Sequence, residues 1–263
     1  MARGLRSLTA PRRLVALGAS NLTRGFLTVV DTARQEWGEP MDVFTALGHG
    51  RSYGMKTTFL GRTLPGIVDC RLWHDLEQRP AASTLALISD VGNDILYGAS
   101  VEDILAWVRA CLEPLRKLGA EVVITDLPVA SIARLSRARF LLFRSILVPA
   151  CRLTLAEVRG RTAGVVEGLR RLSVEHDATF FRLRPEWYGF DPIHIRPALW
   201  GEAWREILFG EGANAPAPDA NRRLSRWLEL YLAVPEQRWL LGRERRRTQP
   251  ALRLGEGTSI FTY

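Results

Sequence analysis

Apolar and polar positions follow two different periods along this chain. Short, nearly continuous apolar runs occupy 14–17, 41–47, 84–89, 121–125 and 178–183. Runs of this length, bounded by turn residues, read as strands covered on both faces, as in a parallel sheet. Between them the spacing changes to three and four. Leu22, Phe26, Val29, Val30, Ala33 and Trp37 form one stripe, and Val101, Ile104, Leu105, Val108, Leu112 and Leu115 a second. Leu199, Trp200, Ala203, Trp204, Ile207 and Leu208 form a third. These stripes predict helices over 22–37, 100–118 and 198–209, the second capped by Ser100 and closed by Gly119. A longer helical region is expected over 131–175, broken near Pro149. A short strand is expected at 67–70 and a short helix at 72–78.

Strand and helix alternate from residue 14 to residue 209, which favours an α/β class with about five parallel strands and helices on both faces. A segment rich in Gly, Ala, Pro and Asn over 210–220 marks the end of a core domain, taken as 1–210. Residues 211–263 read as a C-terminal extension. It comprises a linker, one helix over 222–233, a basic cluster (Arg243 and Arg245–Arg247) and an extended end at 260–263.

Composition narrows the class only slightly. The 263 residues are 47% apolar and 24% charged, as in an ordinary globular protein. The net charge is +8, but Lys56 and Lys117 are the only lysines and the arginines are spread along the chain. Nucleic-acid binding needs a localised stripe, so none is expected here. Cys70, Cys111 and Cys151 are odd in number and widely spaced, which fits reduced core thiols rather than a disulfide or metal framework. No stretch approaches the ~20 apolar residues of a membrane span, and no signal segment is evident, so a soluble, cytoplasmic protein is expected. The oligomeric state is not legible.

The chemistry collects at the strand ends. The first strand stops at Gly18-Ala19-Ser20-Asn21, and the second runs into Gly48-His49-Gly50-Arg51-Ser52. The 84–89 run empties into Asp90-Val91-Gly92-Asn93-Asp94. Asp191-Pro192-Ile193-His194 stands in the loop before the last core helix. In a parallel sheet such ends emerge on one edge, where ligands bind, so these clusters are expected to converge. The glycine loop has neither the lysine of a phosphate-cradling loop nor the GxGxxG spacing.

Together these residues can support acyl transfer. A serine hydroxyl needs a base to become nucleophilic, His194 can be that base, and Asp191 can orient its ring. Backbone N–H groups of Ser20 and Gly50, with the Asn93 amide, can form an oxyanion hole. Bland alternatives stay open: Ser20 or Asn21 as a helix cap, Asn93 as a turn residue, His194 as a structural histidine. His49 lines the pocket or lies on the surface, while His74 and His176 look ordinary. The Trp200/Trp204 pair reads as core.

In these blocks, taken in this order, the chain resembles the SGNH/GDSL hydrolase superfamily, serine esterases and lipases with a flavodoxin-like three-layer α/β/α sandwich. The resemblance implies a catalytic Ser20–His194–Asp191 triad, an oxyanion hole of Ser20, Gly50 and Asn93, no cofactor or metal, and a small-molecule ester as substrate. Gly50 is preferred to Gly48 because Arg51-Ser52 then takes the places of the family's polar pair. Ala19 stands where the family usually has aspartate, and Val91 where it has glycine. The resemblance leaves two other outcomes open: acyl transfer to an alcohol at the same site, and a catalytically inactive binding module.

Overall fold

The computed structural model describes residues 12–210, 233–255 and 257–263. The helix expected over 222–233 lies, up to residue 232, outside the described residues. The chain begins with β1 (Arg12–Leu17), α1 (Ser20–Trp37) and β2 (Met41–Ala46), followed by a hairpin of β3 (Thr57–Phe59) and β4 (Arg62–Leu64). Next come α2 (Leu72–Glu77), β5 (Ser83–Ile88), the single turn α3 (Asn93–Leu96), α4 (Val101–Lys117) and β6 (Glu121–Thr125). Helices α5 (Val129–Ala133), α6 (Arg137–Leu147) and α7 (Leu155–Glu175) lead to β7 (Thr179–Phe181) and α8 (Trp200–Phe209). The described C-terminal residues hold β8 (Gln237–Leu240), β9 (Arg243–Arg246), β10 (Leu252–Leu254) and β11 (Thr258–Thr262).

The central sheet has the order β10-β11-β2-β1-β5-β6-β7 and is parallel except for β10. Its core, β2-β1-β5-β6-β7, is the doubly wound order in which the direction of winding reverses beside β1. Alternation along the strands supplies two cores. Val15, Leu17, Phe44, Ala46, Ala86 and Ile88 face the layer of α4 and α7. Leu14, Ala16, Val43, Leu85 and Leu87 face the layer of α1 and α8. Both helix layers are thus dictated by period-two burial of strands that are apolar on each side. Contact between α1 and α8 is close enough that a Cβ on Gly25 would lie 2.0 Å from Nε1 of Trp204. Trp204 is fully buried and Trp200 packs partly buried beside it, as core residues.

Several expectations are corrected. Among the described residues the sheet has seven strands rather than about five, because β10 and β11 return from the C-terminal segment, β11 pairing in parallel with β2. No strand forms at 67–70. The N–H groups of Ile67 and Val68 instead reach across to the carbonyls of Ser52 and Tyr53, and Asp69 closes a turn on Gly66. The region 131–175 is three helices, because Ser136 and Thr154 each cap a new start, Thr154 in a reciprocal capping box with Glu157. All of the basic cluster but Arg247 belongs to β9, which pairs with β8 in a second sheet completed by β3 and β4. The three cysteines are buried and free.

Candidate active site

The turn after β1 is fixed from the neighbouring strand. Asp90 follows β5 with φ +59°, a left-handed conformation that aspartate tolerates better than most residues. Its carboxylate accepts hydrogen bonds from the N–H groups of Ala19 (3.0 Å) and Leu22 (3.1 Å) and from the Asn21 side chain (2.9 Å). Two of the orphan donors at the start of α1 are thereby satisfied by a negative charge placed where the helix end favours it. The N-cap position is Ala19, whose methyl group cannot accept a hydrogen bond, and Ser20 makes no capping bond. The Ser20 hydroxyl is thus left for another partner.

That partner is His194. Ser20 Oγ and His194 Nε2 are 2.8 Å apart, and His194 Nδ1 lies 2.6 Å from Asp191 Oδ2. The other oxygen of Asp191 accepts the N–H groups of Ile193 and His194, both at 3.2 Å. Burial opposes the charge on Asp191, but the hydrogen bond and charge of His194, with these two amides, outweigh it and hold the carboxyl below its ordinary range. Arg24 stands 3.9 Å from the same carboxylate. His194 is almost fully buried, with 5% exposure.

Asn21 locks the loop that carries the histidine. Its Nδ2 donates to the carbonyl of Ile193 (2.8 Å), and its Oδ1 accepts the N–H of Ile195 (2.8 Å). The amide therefore brackets His194 from both sides along the backbone while also binding Asp90. Neither Asn21 nor Asp90 was assigned such a role from the sequence. Asp90 borders the asparagine block, but its partners lie about 70 positions away, and only the β1–β5 pairing brings them together.

The glycine loop and the asparagine turn are joined to each other. Gly48 to Arg51 form a turn closed by Arg51 N–H on Gly48 O (3.1 Å), with Gly50 at φ +66° in the position where a type II turn requires glycine. The Tyr97 hydroxyl donates to Gly50 O (2.6 Å), and Asn93 Nδ2 lies 3.5 Å from Arg51 O. Asp94 accepts the hydroxyl of Ser52 and the N–H of Tyr53 (3.0 Å). Burial pushes the Asp94 carboxyl up to about 6 against those two bonds. Tyr53 donates its hydroxyl to the carbonyls of Leu17 (3.1 Å) and Ser89 (2.7 Å), fixing this loop to the ends of β1 and β5. The buried Arg51 guanidinium donates to the carbonyls of Leu47, Pro65 and Tyr263, so the residue after β11 also braces the loop.

Ser20 and Asn93 both line a cleft whose far wall is apolar, built from Leu127, Ile132, Leu135, Phe140 and Phe143 among others. Asp126 also borders it, its carboxyl pushed up to about 6 by burial although it accepts the N–H of Leu183. A second, more polar groove is lined by Arg24, His49, Arg62, Trp200 and Tyr263. His49 is half-buried there, and burial together with the charges of Arg24 and Arg62 lowers its affinity for a proton. Among the described residues no cluster of His, Cys, Asp or Glu could hold a metal ion, and no helix is long and apolar enough to cross a membrane.

No family model matches the chain, and no curated protein sequence matches it. Solved structures do. Est24, a carbohydrate acetylesterase from Sinorhizobium meliloti, has a TM-score of 0.51 at 11% identity, over 74% of this chain and 96% of that one. A carbohydrate acetylesterase family member from the same organism has a TM-score of 0.50 at 14% identity, over 74% of this chain and 95% of that one. At such identities the likeness is one of architecture, and it agrees with the sheet order and the flanking helix layers described above. The chain has the fold of the SGNH hydrolases.

Proposed function

We propose that this protein is a cofactor-independent serine hydrolase that cleaves carboxylic esters of small molecules. The observation that carries the reading is the relay of two short contacts, Ser20 Oγ to His194 Nε2 at 2.8 Å and His194 Nδ1 to Asp191 Oδ2 at 2.6 Å. Asp191 fixes the tautomer in which Nδ1 carries the proton, leaving Nε2 free to accept one. Ser20 Oγ attacks the ester carbonyl while its proton passes to Nε2. The resulting oxyanion takes hydrogen bonds from the Ser20 N–H, the Gly50 N–H and the Asn93 amide. Collapse breaks the bond to the alcohol, which leaves with the proton from His194. Water then attacks the acyl-serine by the same route, giving the carboxylic acid and free Ser20.

Ester chemistry accords with the two relatives of the same fold, both described as carbohydrate acetylesterases. Position 19 is not acidic, but Asp90 brings a carboxylate to the Ala19 N–H, which supports an active site. The test is turnover of p-nitrophenyl acetate, butyrate and octanoate. Wild type is expected to hydrolyse at least one, and Ser20→Ala to lose about 10⁶-fold in kcat, down to background. Equal rates in the two proteins would overturn the proposal.

A further inference from the structure

Helix α6 is apolar on two sides. Its inner side, with Phe140 and Phe143, walls the cleft beside Ser20. Its outer side carries Leu141, Leu142 and Ile146, exposed to 41%, 47% and 66%. Phe190, 69% exposed, continues this patch. The Phe190 ring meets Phe143 at 5.6 Å and lies under the Arg139 guanidinium at 4.8 Å. Phe190 directly precedes Asp191, so the bare patch runs from α6 to the loop that carries the acid and the base.

Within the stretch that carries α6 the charge has one sign, although Asp191 follows Phe190 directly. From residue 127 to residue 156 there are five arginines and no acidic residue. Arg134, Arg137 and Arg152 are exposed. Residues 1–30 also hold five arginines and no acidic residue; what sets 127–156 apart is that it carries the exposed apolar side chains of α6. Exposed apolar side chains rimmed by arginine are what an interfacial helix presents to a bilayer with anionic headgroups. A second copy of the chain would fit poorly, because a two-fold contact sets the same arginines against each other with no acid from this stretch to offset them.

We propose that α6 and Phe190 dock on an anionic lipid surface. The apolar cleft just behind α6 then receives the hydrocarbon chain of an ester drawn from that surface. The docking half stands on its own; the substrate half rests on the hydrolase reading above. The geometry commits the patch to a bilayer, with Leu142, Ile146 and Phe190 inserted among the acyl chains and Arg137 and Arg152 at the headgroups.

The test uses the full chain carrying Ser20→Ala, so that no lipid is consumed, in flotation with phosphatidylcholine vesicles with or without phosphatidylglycerol. Binding is expected with phosphatidylglycerol at low salt and is expected to weaken as salt screens the arginines. Leu142→Glu with Ile146→Glu is expected to lower partitioning about tenfold or more, and Arg137→Gln about fivefold. In the active protein, the double variant is expected to keep its turnover of soluble p-nitrophenyl butyrate, since neither residue lines the cleft, and to lose turnover of a long-chain ester carried in the vesicles. Equal flotation of the parent and the double variant, or binding indifferent to phosphatidylglycerol, overturns docking. So does a dimer in sedimentation that the double variant dissociates. Any of these with soluble-ester turnover intact leaves the hydrolase reading standing. Flotation without turnover of any ester separates the two in the other direction.

Discussion

Ser20 stands between two regions of opposite construction. On one side lie Asp90, Asn21, Asp191 and His194, where directional bonds of 2.6–3.2 Å fix each carboxylate and amide. On the other lies the cleft, walled by leucine, isoleucine and phenylalanine, where position is set by packing alone. A relay that moves a proton needs heavy atoms held within hydrogen-bond reach, which packing of interchangeable apolar groups does not guarantee. A surface that accepts a hydrocarbon needs the reverse, area without direction. The two demands fall to different sets of side chains around Ser20, so changes in one set should alter rate and changes in the other substrate choice.

The proposed oxyanion groups give the larger test of that division. Asn93→Ala is expected to lower kcat by about 10²–10³-fold with KM nearly unchanged, since the amide is required only once charge develops on the substrate oxygen. Steady-state kinetics on a soluble ester reads this directly. A rise in KM alone would make Asn93 a substrate-binding residue of the cleft and not an oxyanion donor.

Asn21 gives the next. It touches no substrate in this scheme; it brackets the backbone on either side of His194 and binds Asp90. Asn21→Ala is therefore expected to reduce kcat about 10²-fold, with KM unchanged and a thermal midpoint only a few degrees lower. A loss confined to the midpoint, with kcat intact, would make Asn21 a structural cap and nothing more.

The smallest effect is in stability. Asp94 joins the glycine loop to the asparagine turn and has its carboxyl pushed from 3.8 up to about 6. Asp126, at the edge of the cleft, is raised in the same way. Between these values the folded protein holds protons that the unfolded chain has released, so stability falls as pH rises from about 4 to about 6. Asp191 has the opposite sign, but its depressed carboxyl acts only at more acid pH. Asp94→Asn is expected to flatten the fall in Tm over that interval by a few degrees, measured by calorimetry at half-unit steps. An unchanged slope would show that Asp94 is not the source of the fall.

The two regions also differ in how far the sequence reveals them. Strands β1, β2, β5, β6 and β7 are legible because each is an apolar run ending in glycine or a polar turn. The strand ends brought Ser20, Asn93 and the Asp191–His194 pair into view, and Asp191 and His194 are separated by only three positions. Asp90 was not legible as a support, because its function depends on strand pairing across 71 residues. Strands β3 and β4 carry little apolar signal, being largely half-buried or exposed. Strand β11 is buried and extended-looking, but nothing local announces that it pairs with β2 more than 200 positions earlier. The divided helices of 131–175 could have been read: Thr154 and Glu157 spell a capping box, and Ser136 stands in a comparable place. The apolar wall and the bare outer side of α6 merge in sequence into one hydrophobic stretch, and only the folded arrangement separates them.

The most direct measurement is covalent. Treatment with a fluorophosphonate, followed by intact mass and peptide mapping, should yield one adduct per chain, on Ser20. The adduct should form far more slowly in His194→Ala, because the hydroxyl has lost the base 2.8 Å away. An adduct on another residue, or none under conditions where a reference serine hydrolase is fully labelled, would contradict a Ser20–His194 relay.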